Sequence, residues 1–139
     1  MKNVVISIVG TQTPEGGDED VIEFITEGEY TRAGGLTVVT YRESEITGLE
    51  GTQTTIEIGR GAVTLIREGT VNSRMEFIEG ERHYFAYDTP DGAFTMSVDT
   101  SSIMSRLDDT GGDLEIRYRV EMFNAPVSRN SFRINIKEN

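Results

Sequence analysis

The side chains of this sequence that could do chemistry are few and scattered. Glu43 and Glu45 stand two apart in "TYRESEIT" (40–47). On an extended strand that spacing puts two carboxylates on one face about 7 Å apart, a separation that suits the carboxyl pair of a glycoside hydrolase. His83, in "ERHYFAYD" (81–88), is the one histidine and the one side chain able to act as base in a Ser-His-acid arrangement. It alternates in phase with Phe85 and Tyr87, which is the pattern of a packed or rim position on a strand. Asp18, Glu19, Asp20 and Glu23 could gather around a calcium ion, but they lack the regular ligand spacing of an EF-hand and read as an acidic loop. The stretch "TGLEGTQTTIEIGRGAVTLIREGTVNSR" (47–74) is rich in glycine and looks at first like an anion loop. A phosphate-cradling loop needs a following lysine and a helix start, and neither is present, so its glycines read as turn residues between strands. No residue is assigned a catalytic or metal-binding role, and no cofactor is implied.

Arg67 carries more information. It follows Val63 and Leu65 on one face of a strand, so if that face is the inside of a barrel, a cation stands at its mouth. Thr52, Thr54, Ser73, Tyr87 and Tyr118, with His83, also alternate in phase with apolar neighbours. Together with Arg67 they form the candidate ligand-binding set of an apolar lumen with scattered hydrogen-bonding groups, which need partners when buried. Two arrangements are open for Arg67: pairing with an internal acid such as Glu43 or Glu45, or facing an open lumen. The second is the expectation.

The elements that must position these groups are strands. Turn signals at Gly34-Gly35, Gly59-Arg60, Glu68-Gly69, Glu79-Gly80 and Pro90-Asp91-Gly92 separate runs of alternating character. Leu114, Ile116, Tyr118, Val120 and Met122 fall on one face, and Glu115, Arg117, Arg119 and Glu121 on the other. The runs predict about ten strands, near 3–9, 20–33, 36–45, 51–58, 61–67, 70–78, 81–88, 92–99, 113–123 and 130–137. A sheet of that many strands closes into a barrel to remove its edges. Gly28, inside the second run, marks a bulge or a sharp bend. "TSSIMSRLDDTGG" (100–112) breaks the alternation: Thr100 or Ser101 can cap, Ile103, Met104 and Leu107 share a helical face, and Gly111 can stop it. A short helix near 100–109, covering one end of the barrel, is expected. "TQTPEGGDED" (11–20) and "NAPVSRN" (124–130) read as polar, mobile loops.

The chain has 139 residues, the size of a single β-barrel domain. Its 24 acids against 13 bases give a net charge of -11, a field that repels phosphate backbones and anionic headgroups, so neither nucleic acid nor membrane is expected as a partner. Cysteine is absent, which fits a reducing, cytoplasmic setting, and no run is long and apolar enough for a membrane helix.

"GLEGTQTTIEI" (48–58), "REGTVNSRMEF" (67–77), "YDTPDGAF" (87–94) and "GGDLEIRYRV" (111–120) resemble, in order, the successive signatures of the YwiB-like family of small bacterial proteins of unknown function. The resemblance implies a lipocalin-like, calycin-type β-barrel and carries no activity and no functional residues with it. The combined reading is an all-β, up-and-down meander barrel of about ten strands. It serves as a non-catalytic module that holds a small apolar or amphipathic ligand in its lumen. The other two classes are a protein-interaction barrel with a side-chain-filled core and a hydrolase built on Glu43, Glu45 or His83. Oligomeric state is left open.

Overall fold

A computed structural model describes residues 2–122 and 125–139. Ten antiparallel strands form one meander: β1 (Lys2–Pro14), β2 (Asp20–Ala33), β3 (Leu36–Arg42), β4 (Thr52–Ile58), β5 (Ala62–Gly69), β6 (Ser73–Ile78), β7 (Arg82–Thr89), β8 (Gly92–Asp108), β9 (Gly111–Met122) and β10 (Ala125–Glu138). Their order in the sheet is β6-β5-β4-β3-β2-β1-β10-β9-β8-β7, so every neighbour but one is a neighbour in sequence. The exception is the terminal pair, β1 against β10, which ties the two ends of the described chain together over eleven register positions from Val4↔Glu138 to Pro14↔Ser128.

The sheet curls until β6 and β7 meet. That seam carries no continuous ladder among the described residues. It is bridged by the reciprocal bonds of Asn72 and Asp88, 2.9 Å each way, while Gly80 N, in the turn from β6 to β7, donates to Thr100 O of β8 at 2.8 Å. The barrel is therefore nearly closed. Period-two alternation puts Val4, Ile6 and Ile8 of β1 against Ile134 and Ile136 of β10 and Leu114 and Ile116 of β9, all buried. These β-branched and leucine side chains fill one end of the lumen, where Tyr30 closes the packing and donates from its hydroxyl to Asp108 O at 2.8 Å.

Tight curling brings backbones together at Gly28, which pairs with Val4 on one side and Tyr41 on the other. A Cβ there would lie 2.4 Å from Thr40 O and 2.6 Å from Ile6 Cδ1, so glycine is required for close approach at a barrel bend. Gly111 and Gly112 do the same at the start of β9, both at positive φ and both facing a carbonyl of the neighbouring strand.

Three expectations need correction. The helix near 100–109 does not form: these residues extend β8 to Asp108. A bulge between Thr100 and Ser102 shifts the inward parity from Met96-Val98-Thr100 to Ile103-Ser105-Leu107, so Thr100, Ile103 and Leu107 succeed one another at helix-like steps of three and four while remaining on a strand. The segment 11–14 is no loop but the end of β1, and 125–130 opens β10, so the two meet in register; Asn124 lies outside the described residues. Finally, β3 stops at Arg42 and a single 3-10 turn, Glu45–Thr47, follows, capped by Ser44 and ended by Gly48.

We expect Gly28→Ala to destabilise the protein by about 1–3 kcal/mol, the usual cost of overpacking. Urea unfolding followed by far-ultraviolet circular dichroism measures it; an unchanged midpoint would mean that the bend does not need the close approach.

Candidate functional site

Two inward rows of side chains meet across the lumen, one from each half of the barrel. In the first, Tyr41 of β3, Thr54 of β4, Arg67 of β5 and Ser73 of β6 are successive register partners and so share one face. The row beneath them is apolar: Val39, Ile56, Leu65 and Met75 follow the same register. The second polar row runs Thr100, Tyr118, Asn130, Gln12 and Asp20 across β8, β9, β10, β1 and β2. Between them these rows floor an open half above the packed half of the barrel. Phe77 and Tyr118 cross the floor in an edge-on contact with ring centroids 5.0 Å apart.

At the centre is an ion pair. Glu43 enters just beyond β3, held by its backbone N–H to Thr52 O at 2.9 Å, and its side chain is only 1% exposed. Thr54 donates its hydroxyl to Glu43 Oε2, and the same oxygen lies 3.8 Å from Arg67 Nε. Glu43 Oε1, Arg67 Nε and Ser73 Oγ are buried without a hydrogen-bond partner, as is Thr100 Oγ1 in the facing row. Burial pushes the Tyr41 phenol well above the ordinary tyrosine range, and the neighbouring Glu43 carboxylate adds to the shift while Arg67 opposes it. Burial also raises Tyr118, again against the pull of Arg67.

Two chambers open from this floor, and Gln12, Arg67, Tyr118 and Asn130 border both. One, of about 210 Å³, has mixed walls that include Phe24, Tyr41, Glu43 and Leu49. The other, of about 400 Å³, is lined by Met75, Phe85, Tyr87, Phe94, Met96 and Met122 along the side where β6 and β7 have no ladder.

Of the sequence-predicted set, Arg67, Tyr87 and Tyr118 line the chambers. Thr54 and Ser73 sit in the polar floor, and Thr52 is turned to the backbone, accepting from Val71 N at 3.2 Å. His83 lies at the seam instead, its Nε2 3.1 Å from Glu81 and its Nδ1 3.6 Å from Glu76. The choice set out for Arg67 resolves as neither pure case: it pairs with Glu43 and also borders both chambers, so its expected freedom from an internal acid is corrected. Glu43 and Glu45 do not share a face, because the strand ends at Arg42 and the turn that begins at Ser44 directs Glu45 outward to solvent. Among the described residues no three Asp, Glu or His side chains converge as a metal-binding group. Gln12 and Asn130 escaped the sequence reading, since their polar surroundings suggest loops. The signal was there: Ile8, Gly10 and Gln12 continue one parity, as do Phe132 and Asn130.

These features define an antiparallel β-barrel with one packed end and one open, polar-floored end. The chain belongs to the family described as "Domain of unknown function (DUF1934)", whose model matches residues 6–134. It is 29% identical over 104 residues to the "Uncharacterized beta-barrel protein YwiB" of Bacillus subtilis (strain 168), covering 75% of this chain and 72% of that one. It superposes on the crystal structure of the ywiB protein from Bacillus subtilis with a TM-score of 0.89 at 22% identity, over 99% of this chain and 92% of the other, a likeness of fold.

Two outcomes follow from the buried pair. Arg67→Met leaves the Glu43 carboxylate without its cation and should cost about 3 kcal/mol, whereas adding Glu43→Leu should recover most of that; denaturant unfolding of the single and double variants reads both. Tyr41 and Tyr118 stay neutral in the folded protein while the unfolded chain ionises near pH 10, so their stabilisation is complete below about pH 10 and is lost as pH rises beyond it. Unfolding measured at stepwise alkaline pH should show that fall, and Tyr41→Phe should flatten it.

Proposed function

We propose that this chain is a non-catalytic binding protein that takes a small, largely apolar or amphipathic molecule into the open half of its barrel, in the manner of lipocalin-like proteins. One observation carries the reading. The chamber of about 400 Å³ is walled by methionine and aromatic side chains and ends on a floor of polar groups that includes Arg67 and Asn130. Apolar walls with a few convergent polar groups are the usual make-up of a small-molecule site. Methionines suit such walls because their flexible thioethers adapt to different shapes. The apolar part of the ligand lies against Met75, Phe85 and Met96, and its polar end meets Arg67, Asn130 and Gln12.

Catalysis is the weaker reading, since the carboxylates that would serve a hydrolase are separated and His83 stands at the seam between two acids. The net charge of -11 argues against nucleic acid or anionic membranes as partners, and the cysteine-free sequence suits a cytoplasmic setting.

Isothermal titration of straight-chain alcohols and carboxylates from hexyl to decyl tests the proposal. Affinity should rise by about fourfold per added methylene, the equivalent of about 0.8 kcal/mol each, until the chamber is full. Met96→Trp, which fills that chamber, should abolish binding while keeping the barrel's circular dichroism. No binding at any chain length, or binding that Met96→Trp leaves intact, would sink it.

A further inference from the structure

The outer wall carries a second pattern, independent of the lumen. Side chains of β2, β1 and β10 that point outward line up in rows across the three strands, because both β2 and β10 pair with β1. One row reads Glu27, Val5, Lys137, and the row two residues further along β1 reads Ile25, Ser7, Asn135. The next is Glu23, Val9, Arg133, followed by Val21, Thr11, Ser131. Each charged row thus has an acid on the left, a valine in the middle and a base on the right. The strands lie about 4.8 Å apart, so the backbones of the acid and base of a row are about 10 Å from each other with a valine between them, and the two side chains do not pair within the chain.

Glu23, Glu27 and Lys137 are exposed, and among the described residues none of the three forms an ion pair. Arg133 is 3.4 Å from Glu115, but Arg117 shares that carboxylate at 3.0 Å, so one of the two cations is uncompensated. Further along the same wall Arg119 and Arg129 are direct cross-strand partners of like charge. An acid stripe and a base stripe therefore flank a neutral strand. On the acid strand, Ile25 is 73% exposed and Val21 49%.

This pattern is self-complementary under one operation. A two-fold axis lying along β1, in the plane between two facing walls, turns β2 of one copy over β10 of the other at the same height. Glu23 then meets Arg133 of the second copy and Glu27 meets Lys137, each contact occurring twice, while Val5 and Val9 pack on their own counterparts. A two-fold across the strands would instead set β2 on β2, acid on acid. We propose that the β2–β1–β10 wall is the interface of an isologous dimer, with a second copy of this chain as its occupant. The wall is convex, so the contact is confined to three strands and falls at the small end of stable interfaces. The dimer is reversible, and charge complementarity sets its orientation.

Sedimentation velocity from low micromolar to near-millimolar protein tests this. The wild type should pass from monomer to dimer, and about 1 M salt, where the Debye length is about 3 Å, should weaken the association. Glu23→Arg alone and Arg133→Glu alone should each weaken self-association by about tenfold or more, through like charges set against each other. An equimolar mixture of the two variants should dimerise again. In the mixed dimer the Glu23→Arg position of one copy lies opposite the Arg133→Glu position of the other, which restores a contact of opposite charges, and the two unaltered residues still face each other. The chain carrying both substitutions should recover as well. Glu27→Lys and Lys137→Glu repeat the design at the second charged row if Arg133→Glu does not fold. A wild type that stays monomeric throughout, a dimer that the swaps do not touch, or a mixture that behaves as the sum of its parts would each overturn the proposal.

Discussion

A carboxylate buried inside a barrel is the constraint around which this structure is arranged. Glu43 is nearly inaccessible to water, and a lone charge there would be costly. It persists because Thr54 donates to it and Arg67 stands beside it, each presented from the neighbouring strands by the register of β3, β4 and β5. That pairing fixes where the apolar filling of the lumen stops. Below it the inward positions are Val39, Ile56 and Leu65, which pack without polar atoms; above it the lumen is lined by groups that tolerate contact with something else. The pair is nearly neutral as a unit. The open half therefore presents a polar floor with directional groups rather than an isolated cation.

The seam between β6 and β7 has a matching role. Ten strands enclose more volume than one layer of side chains fills, and the barrel resolves the excess unevenly. Isoleucines and valines crowd the end where β1, β9 and β10 run together, whereas methionines and aromatics line the side where the ladder is interrupted. The bonds between Asn72 and Asp88 pin the seam without zipping it, and the turn from β6 to β7 is held to β8 through Gly80 and Thr100. The bulge in β8 belongs to the same solution: before it Thr100 accepts from Gly80 in the turn between β6 and β7, and after it Ile103 and Leu107 return to the core.

The architecture was legible because alternation and glycine turns are local signals, and each strand obeys them over most of its length. What stayed hidden was whatever depends on a change of parity or on a distant partner. Inward-facing Thr100, Ile103 and Leu107 follow one another at steps of three and four, as on a helix, because the bulge inserts one residue between Thr100 and Ile103, and no local property of "TSSIMSRLDDTGG" distinguishes the two. Gln12 and Asn130 looked like loop residues because polar side chains are rare in strand interiors, yet their backbones are held by pairing β1 with β10, more than a hundred residues apart in sequence. Arg67 was singled out by phase with apolar neighbours and Glu43 by its spacing from Glu45. Their pairing was one of two arrangements the sequence left open, and it could not be chosen because the turn after Arg42 that aims Glu43 inward and Glu45 outward rests on a Ser44 cap.

Alternation also keeps the two surfaces of this barrel apart while binding them to the same strands. On β1, Ile8, Gly10 and Gln12 face the lumen, and Val9, Thr11 and Thr13 face outward. A substitution on one parity leaves the other chemically unchanged, so the polar floor and the charged wall can vary independently in sequence. They are still mechanically joined: β1 is the strand over which β2 and β10 are registered, and it carries Gln12, which borders both chambers. Packing β1 against a second copy would hold its outer face fixed and restrict the fluctuation of the residues between. The coupling would run through the stiffness of the strand rather than through any contact between the two sites.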